Sequence, residues 1–139
     1  MARINVQRHG LVAAVRLLQS DGLASALGRY DLILCNPPYV NAESMAALPA
    51  EFKAEPALAL DGNSAGGIDG MDFIRSLLRS APEHLSPDGV LVLEIGHERA
   101  HFEAAFPKLQ AVWLPTSAGC DQVLLLSRNA LASLSATAT

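Results

Sequence analysis

The run Asn36-Pro37-Pro38-Tyr39 combines residue types that could hold a planar nitrogen for reaction. The chemistry it suits is methyl transfer to an amide or an aromatic amine. In such groups the nitrogen lone pair is delocalised into the neighbouring π system. Acceptors that hold the two N–H groups localise the lone pair and fix a near-attack geometry. The Asn36 side-chain oxygen can take one N–H. Its place before a proline pushes it to an extended conformation, aimed out of a strand end. Proline fixes φ near about −65° and lacks an N–H, so the Pro37 carbonyl stays rigid and open to the second N–H. Tyr39 offers a flat face to a planar group. Read purely as structure, the same residues are a strand followed by a polyproline-like turn. The apolar run Tyr30-Asp31-Leu32-Ile33-Leu34-Cys35 just before them favours the chemical reading.

A competing signal is His97-Glu98-Arg99-Ala100-His101, which matches H-E-x-x-H. On an established helix this pattern can bind zinc, with the glutamate as base. Here His97 follows Gly96 at the very start of a short helix, and Asp121 is the only distant downstream acid. No metal site is therefore expected. Cys35, at a buried strand end, reads as packing rather than nucleophile, and His9 and His84 as surface residues. No Ser-His-Asp arrangement can be assigned.

Several elements must position these residues. Residues 2–9 read as the end of a helix, with Gly10 as its stop. Val15 to Ser20 reads as a short strand, followed by an Asp21-Gly22 turn. Tyr30 to Cys35 is a second strand, whose near-continuous apolar run suggests cover on both faces. Pro37 and Pro38 must end it, since proline cannot donate to a ladder. Residues 40–67 read as one irregular segment, a length that usually marks a functional or mobile loop. Asp69 can cap a helix of 70–81, where Met71, Phe73, Ile74, Leu77, Leu78 and Ala81 keep the helical period. Pro87-Asp88-Gly89 reads as a turn, Val90 to Ile95 as a third buried strand, and 97–106 as a short helix. Two strands follow, at 111–114 and 122–127. Strands alternating with helices indicate an α/β domain with a parallel sheet and helices on both faces. Ligands in such sheets sit beyond the carboxyl ends of the strands, where Asp21, Asn36 and Gly96 lie. Residues 1–128 are thus one domain, and 129–139 a flexible tail.

The 139 residues suit a single domain, with half of them hydrophobic and 17% charged. Ten basic against fourteen acidic residues give a net charge of −4. That balance, with Arg3, Arg8, Arg16 and Arg29 scattered, shows no basic stripe for nucleic acid. No apolar run approaches the ~20 residues of a membrane span. Two cysteines, Cys35 and Cys120, make no disulfide framework, and a cytoplasmic protein is expected.

Asn36 to Tyr39 resembles motif IV of the class I, S-adenosylmethionine-dependent amino methyltransferases. The wider chain, from about Ala2 to Leu131, resembles the HemK family of protein-glutamine methyltransferases, and within it the PrmB-type branch. The likeness is carried by Arg29-Tyr30-Asp31-Leu32-Ile33, Asn36-Pro37-Pro38-Tyr39-Val40, Leu48 to Phe52, Glu55 to Leu60, Asp69-Gly70-Met71-Asp72 and Leu93-Glu94-Ile95-Gly96. The branch rests on the 48–60 loop and on Trp113-Leu114. The resemblance implies methylation of a glutamine side-chain amide, in a release factor for one branch and a large-subunit ribosomal protein for the other. It implies that Asn36 and Pro37 grip the amide while Pro38 and Tyr39 complete the site, Tyr39 packing on the amide. It also implies that S-adenosyl-L-methionine is the cofactor, with Asp21 at the acidic position that reads its adenine and Asn36 beside it. For Asp21 a plain turn is an equal alternative. Glu55 matches a motif position without an assigned role.

Family members begin with a helical domain, a strand and a Gly-rich cofactor loop. Met1 to Asn5 already resembles the helix after the second family strand, and Gly62, Gly66 and Gly67 follow no strand. The chain therefore resembles the C-terminal part of the family enzyme, with an incomplete Rossmann-like class I sheet, and reads as truncated. In the family's sheet order two absent strands would lie between 15–20 and 30–35. Weak or no cofactor binding by this chain alone is expected, with self-association through the exposed strand edge at 30–35. The alternatives are a nucleic-acid exocyclic-amine methyltransferase, which uses a similar motif on adenine, and a non-catalytic fragment. The acidic balance argues against nucleic acid as the direct substrate.

Overall fold

The computed structural model describes residues 1–49, 52–117 and 119–136. Four strands form one mixed sheet: β1 (Tyr30–Cys35), β2 (Leu85–Glu94), β3 (Val112–Thr116) and β4 (Gly119–Ser127), in the order β1-β2-β4-β3. The helices are α1 (Ala2–Arg8), α2 (Ala42–Ala46), α3 (Asp72–His84), α4 (Arg99–Ala105) and α5 (Arg128–Ala136). The expected α/β class and incomplete Rossmann-like sheet are what the chain adopts.

β1 and β2 pair in parallel, with α3 as the connection between them. A parallel pair needs such a crossover, because the chain must return to the starting end of the sheet. β4 departs from the all-parallel expectation and runs antiparallel to both β2 and β3. For β3 and β4 the reason is local: Thr116 lies opposite Gly119, only three positions on, and a connection that short can only make a hairpin.

Residues that pair directly across strands share a face. Ile33 and Cys35 therefore lie with Leu91 and Leu93, and these with Leu126, Leu124 and Trp113. This face is covered. Ile74, Leu77, Leu78 and Ala81 from α3, Phe102 from α4 and Leu131 from α5 join Leu91, Leu93, Leu124 and Leu126 in one buried core. The α3 residues at spacings of three and four make the apolar stripe that the helical period predicted. Phe102 stacks edge-on to Trp113, with centroids 6.0 Å apart. The helical cover is uneven, because Leu32, Leu34 and Val112 on the opposite face are 51%, 71% and 58% exposed.

Three local readings change. Val15 to Ser20 forms no strand and carries no regular structure. A strand exists by sharing its backbone groups with a neighbour, and β1 is the edge of the sheet with nothing described beyond it. Pro87-Asp88-Gly89 is not a terminal turn but part of a bulge inside β2, since Tyr30 and Leu32 lie opposite Leu85 and Val90. The bulge is where a sheet tolerates proline, and Ser86 Oγ ties it to Asp31 Oδ1 at 2.7 Å. The stretch read as a flexible tail at 129–139 carries α5 as far as Ala136. Leu131 is fully buried there and Leu134 packs on the core, so a Ser- and Ala-rich composition conceals a short apolar stripe. Residues 137–139 lie outside the described residues. No described helix is long and apolar enough to cross a membrane.

Candidate active site

β1 ends at Cys35, and the chain leaves the sheet through Asn36, Pro37, Pro38 and Tyr39 at its carboxyl end. Pro37 is buried, Pro38 and Tyr39 are half-buried, and Asn36 is exposed. Asn36, Pro37 and Tyr39 line one cleft of about 270 Å³ with Val40, Glu55, Ala59 and Leu60. Asn36 also lines a second cleft with Leu34, Cys35, Val92 and Glu94. Neither the Asn36 side chain nor the Pro37 carbonyl makes a hydrogen bond among the described residues. Two acceptors without a hydrogen-bond partner among the described residues thus belong to residues that line one cleft together with Tyr39. Glu55, known from sequence only as a motif position, is a wall of that cleft.

The segment after Tyr39 is not loose. Val40 N donates to the Leu60 carbonyl and Gly62 N to the Val40 carbonyl, at 2.9 and 3.1 Å, making a parallel bridge between Val40 and Asp61. Asn63 Nδ2 reaches the Val40 carbonyl at 3.1 Å and Asn63 Oδ1 accepts from Gly70 N at 2.8 Å. Gly62 and Gly70 touch so closely that a Cβ on Gly62 would lie 2.1 Å from the Gly70 carbonyl oxygen. Val40 and the residues from Leu60 to Asn63 are therefore braced against each other and against Gly70 beside the cleft. At the far end of this segment the Asp69 carboxylate does not cap α3 in the expected way. It accepts from Met71 N and pairs with the Arg75 guanidinium. That guanidinium holds the Asp69 carboxyl below its ordinary range.

A buried polar knot secures the next turn. Asn41 Oδ1 caps α2 by accepting from Ser44 N at 2.9 Å, and Asn41 Nδ2 donates to both Glu98 oxygens at 2.8 and 2.9 Å. Both residues are only 7% exposed. Glu98 Oε2 also meets His101 Nδ1 at 2.6 Å. Two members of the H-E-x-x-H run thus bond each other, with Glu98 anchoring the loop after Tyr39. His97 precedes α4 and is exposed.

Tyr39 Oη donates to Glu94 Oε1 at 3.2 Å. Burial, then the Glu94 carboxylate, pushes the phenol up to about 12, so it remains a neutral donor. Cys35 is half-buried, and burial raises its thiol. His84, read as a surface residue, is half-buried with Nδ1 enclosed and unpartnered among the described residues.

The structure brings Asn36, Pro37, Tyr39, Glu55 and Glu94 together. Asp21 is exposed in a turn where its carbonyl accepts from Ala24 N, and it lines neither cleft. Sequence reasoning missed Glu94, Asn41 and Asn63. The signal for Glu94 was available: a charged residue ending an apolar strand, beside a glycine. Asn41 had the cap pattern, an Asn three residues before a Ser. Asn63 had a local one in Asp61, two residues before it, whose Oδ1 accepts from both Asn63 N and Nδ2, but its bonds to residues 23 positions before it and 7 after it gave no sign in the sequence.

No family model matches the chain. Among curated proteins it is 58% identical over 133 residues to the ribosomal protein uL3 glutamine methyltransferase of Bordetella pertussis, covering 94% of this chain and 43% of that protein. It is 48% identical to the protein of the same name from Burkholderia pseudomallei, over 94% of this chain and 44% of the relative. It is 54% identical to that of Bradyrhizobium diazoefficiens, over 84% of this chain and 35% of the relative. The chain is thus similar along nearly all its length to uL3 glutamine methyltransferases, and spans less than half the length of these relatives.

Proposed function

We propose that this chain carries the acceptor side of an S-adenosylmethionine-dependent methyltransferase acting on a glutamine side-chain amide of a ribosomal protein. The observation that carries this reading is a pair of acceptors unpartnered among the described residues, Asn36 Oδ1 and the Pro37 carbonyl, on two residues that line one cleft with Tyr39. The likeness to relatives named for ribosomal protein uL3 favours a ribosomal protein over a release factor. It supports the PrmB-type branch of the HemK family, and a ribosomal substrate implies work in the cytoplasm. The net charge of −4 and the same relatives weigh against a nucleic-acid base as acceptor.

In this reading Asn36 takes one amide N–H and Pro37 the other, which turns the nitrogen lone pair out of conjugation. Tyr39 lies against the amide plane, and Pro37 and Pro38 keep the turn rigid. S-adenosylmethionine, when bound, supplies the methyl group. Asp21 and Asn36 are the positions that would face it, and they fit it only in part. Asn36 lines the clefts, whereas Asp21 sits in a turn after a stretch that joins no sheet. The chain alone therefore binds this cofactor weakly or not at all, and micromolar affinity in calorimetry would overturn that. The open edge of β1 further supports self-association of the isolated chain.

The test is transfer of a labelled methyl group to ribosomal proteins, by this chain alone and joined to the remaining part of the Bordetella pertussis relative. The joined protein is expected to label a glutamine, and Asn36→Ala to lower the rate by about two orders of magnitude or more. A joined protein that folds and labels no amide would sink the proposal.

A further inference from the structure

Glu94 has no role in the proposed chemistry, yet it is built into the site. It is the last residue of β2, next to the end of β1, and it lines the second cleft with Asn36. Its Oε1 accepts from Tyr39 Oη at 3.2 Å and from Gly96 N at 3.1 Å. The carboxylate is thus held by the backbone of its own strand end while it holds the tyrosine. Gly96 has φ 54° and would place a Cβ 2.9 Å from both Cε2 and Oη of Tyr39. The ring therefore rests against bare backbone at the same end at which its hydroxyl is pinned.

We propose that Glu94 is a positioning residue for the acceptor amide, acting through the ring of Tyr39. The proposal rests on Asn36–Tyr39 being an amide site. An unpinned tyrosine can change rotamer. The hydrogen bond at Oη fixes the direction of the Cβ–Oη axis and so the rotamer, while the Gly96 backbone against Cε2 holds the ring plane, parallel to which a planar amide can lie. Ordering a side chain before binding removes its entropy cost from the binding step. A charged acceptor makes a stronger pin than a neutral one. Losing the pin is expected to weaken amide binding by about tenfold.

The measurement uses the full chain with ring-labelled tyrosine and a short peptide carrying one central glutamine. Only Tyr30 and Tyr39 contribute ring signals, so Tyr39→Phe assigns them. The unaltered chain should hold Tyr39 in one rotamer, seen as proton contacts between its ring and Gly96, and should show measurable peptide binding. Glu94→Ala should average the rotamer, lose those contacts and bind about tenfold more weakly, and Glu94→Gln, which keeps an acceptor, should recover most of the loss. In a Tyr39→Phe background, Glu94→Ala should cost nothing further. If Glu94→Ala fails to fold, Tyr39→Phe, which removes only the pinned hydroxyl, decides in its place: it should weaken peptide binding about tenfold, and unchanged binding overturns the positioning role. Rotamer averaging with unchanged binding overturns the positioning role and leaves the amide site standing. So does an equal loss in the Tyr39→Phe background, which would show Glu94 acting by another route. Absence of peptide binding in the unaltered chain overturns the amide site, and the positioning role with it.

Discussion

At the scale of single residues, the site depends on polar groups that are nearly all spoken for. Asn41 and Glu98 are both buried and satisfy each other through two hydrogen bonds. Removing one leaves the other desolvated without a partner, which costs more than the bond itself was worth. Glu98→Ala is therefore expected to lower stability by about 1–3 kcal/mol, seen as an earlier midpoint in urea. An unchanged midpoint would mean that water replaces the carboxylate without loss. Asp69 gives a pH dependence. Its folded-state pKa lies below the ordinary value because of Arg75, and next through the Met71 backbone N–H. A depressed carboxyl adds stability above its unfolded pKa and loses it as pH falls through the folded one. Melting temperature should therefore fall on acidification below the ordinary aspartate range. Asp69→Asn should flatten that limb, by a modest amount because the pair is partly exposed. A limb of equal slope in the variant would assign the acid loss to other carboxylates.

At the scale of elements, the segment between Tyr39 and α3 is held by backbone contact rather than by a core. Gly62 and Gly70 pass at a distance no side chain allows, and Gly70 itself has φ 76°. Gly62→Ala would force the two backbones apart and withdraw Gly62 N from the Val40 carbonyl, next to Tyr39. Overpacking of this kind costs about 1–3 kcal/mol. The expected result is a lower melting temperature together with shifted NMR signals at Tyr39 and Asn41. A variant with native stability and an undisturbed Tyr39 would show that this contact does not brace the site. The strands show the same dependence on neighbours. β2 keeps its buried alternation of Leu91 and Leu93 because β1 and β4 flank it, whereas 15–20 has apolar residues and no ladder to join.

At the scale of the whole molecule, the sheet has one covered face and one half-covered face that is most exposed along β1. Leu32 and Leu34 project from the edge strand on the less covered side. An apolar edge with unpaired backbone groups is a template for pairing. The isolated chain is expected to run as a dimer or larger species in size-exclusion with light scattering. Leu34→Lys, a charge on that edge, should shift it toward monomer. A monomer at micromolar concentration without any substitution would remove self-association from the proposal. Within the chain the two cleft walls come from far apart in sequence, with Asn36 and Glu55 meeting at one cleft and Asn36 and Glu94 at another.

Much of this protein was legible from local chemistry. Asn36-Pro37-Pro38-Tyr39 at a strand end needs only the strand's apolar run and the dihedral limits of proline to be read. The α3 stripe needs only its period. Such features are decided within a few residues, where steric and hydrophobic preferences act directly. What tertiary structure decided was pairing. It placed Glu94 on Tyr39 across 55 positions and Glu98 on Asn41 across 57. It turned Glu98 from an apparent metalloprotease base into a loop anchor, left 15–20 without a sheet, and recruited Leu131 and Leu134 from an unpromising tail. Each outcome depends on which surfaces meet, and hydrogen-bond satisfaction and burial are properties of the meeting rather than of either segment.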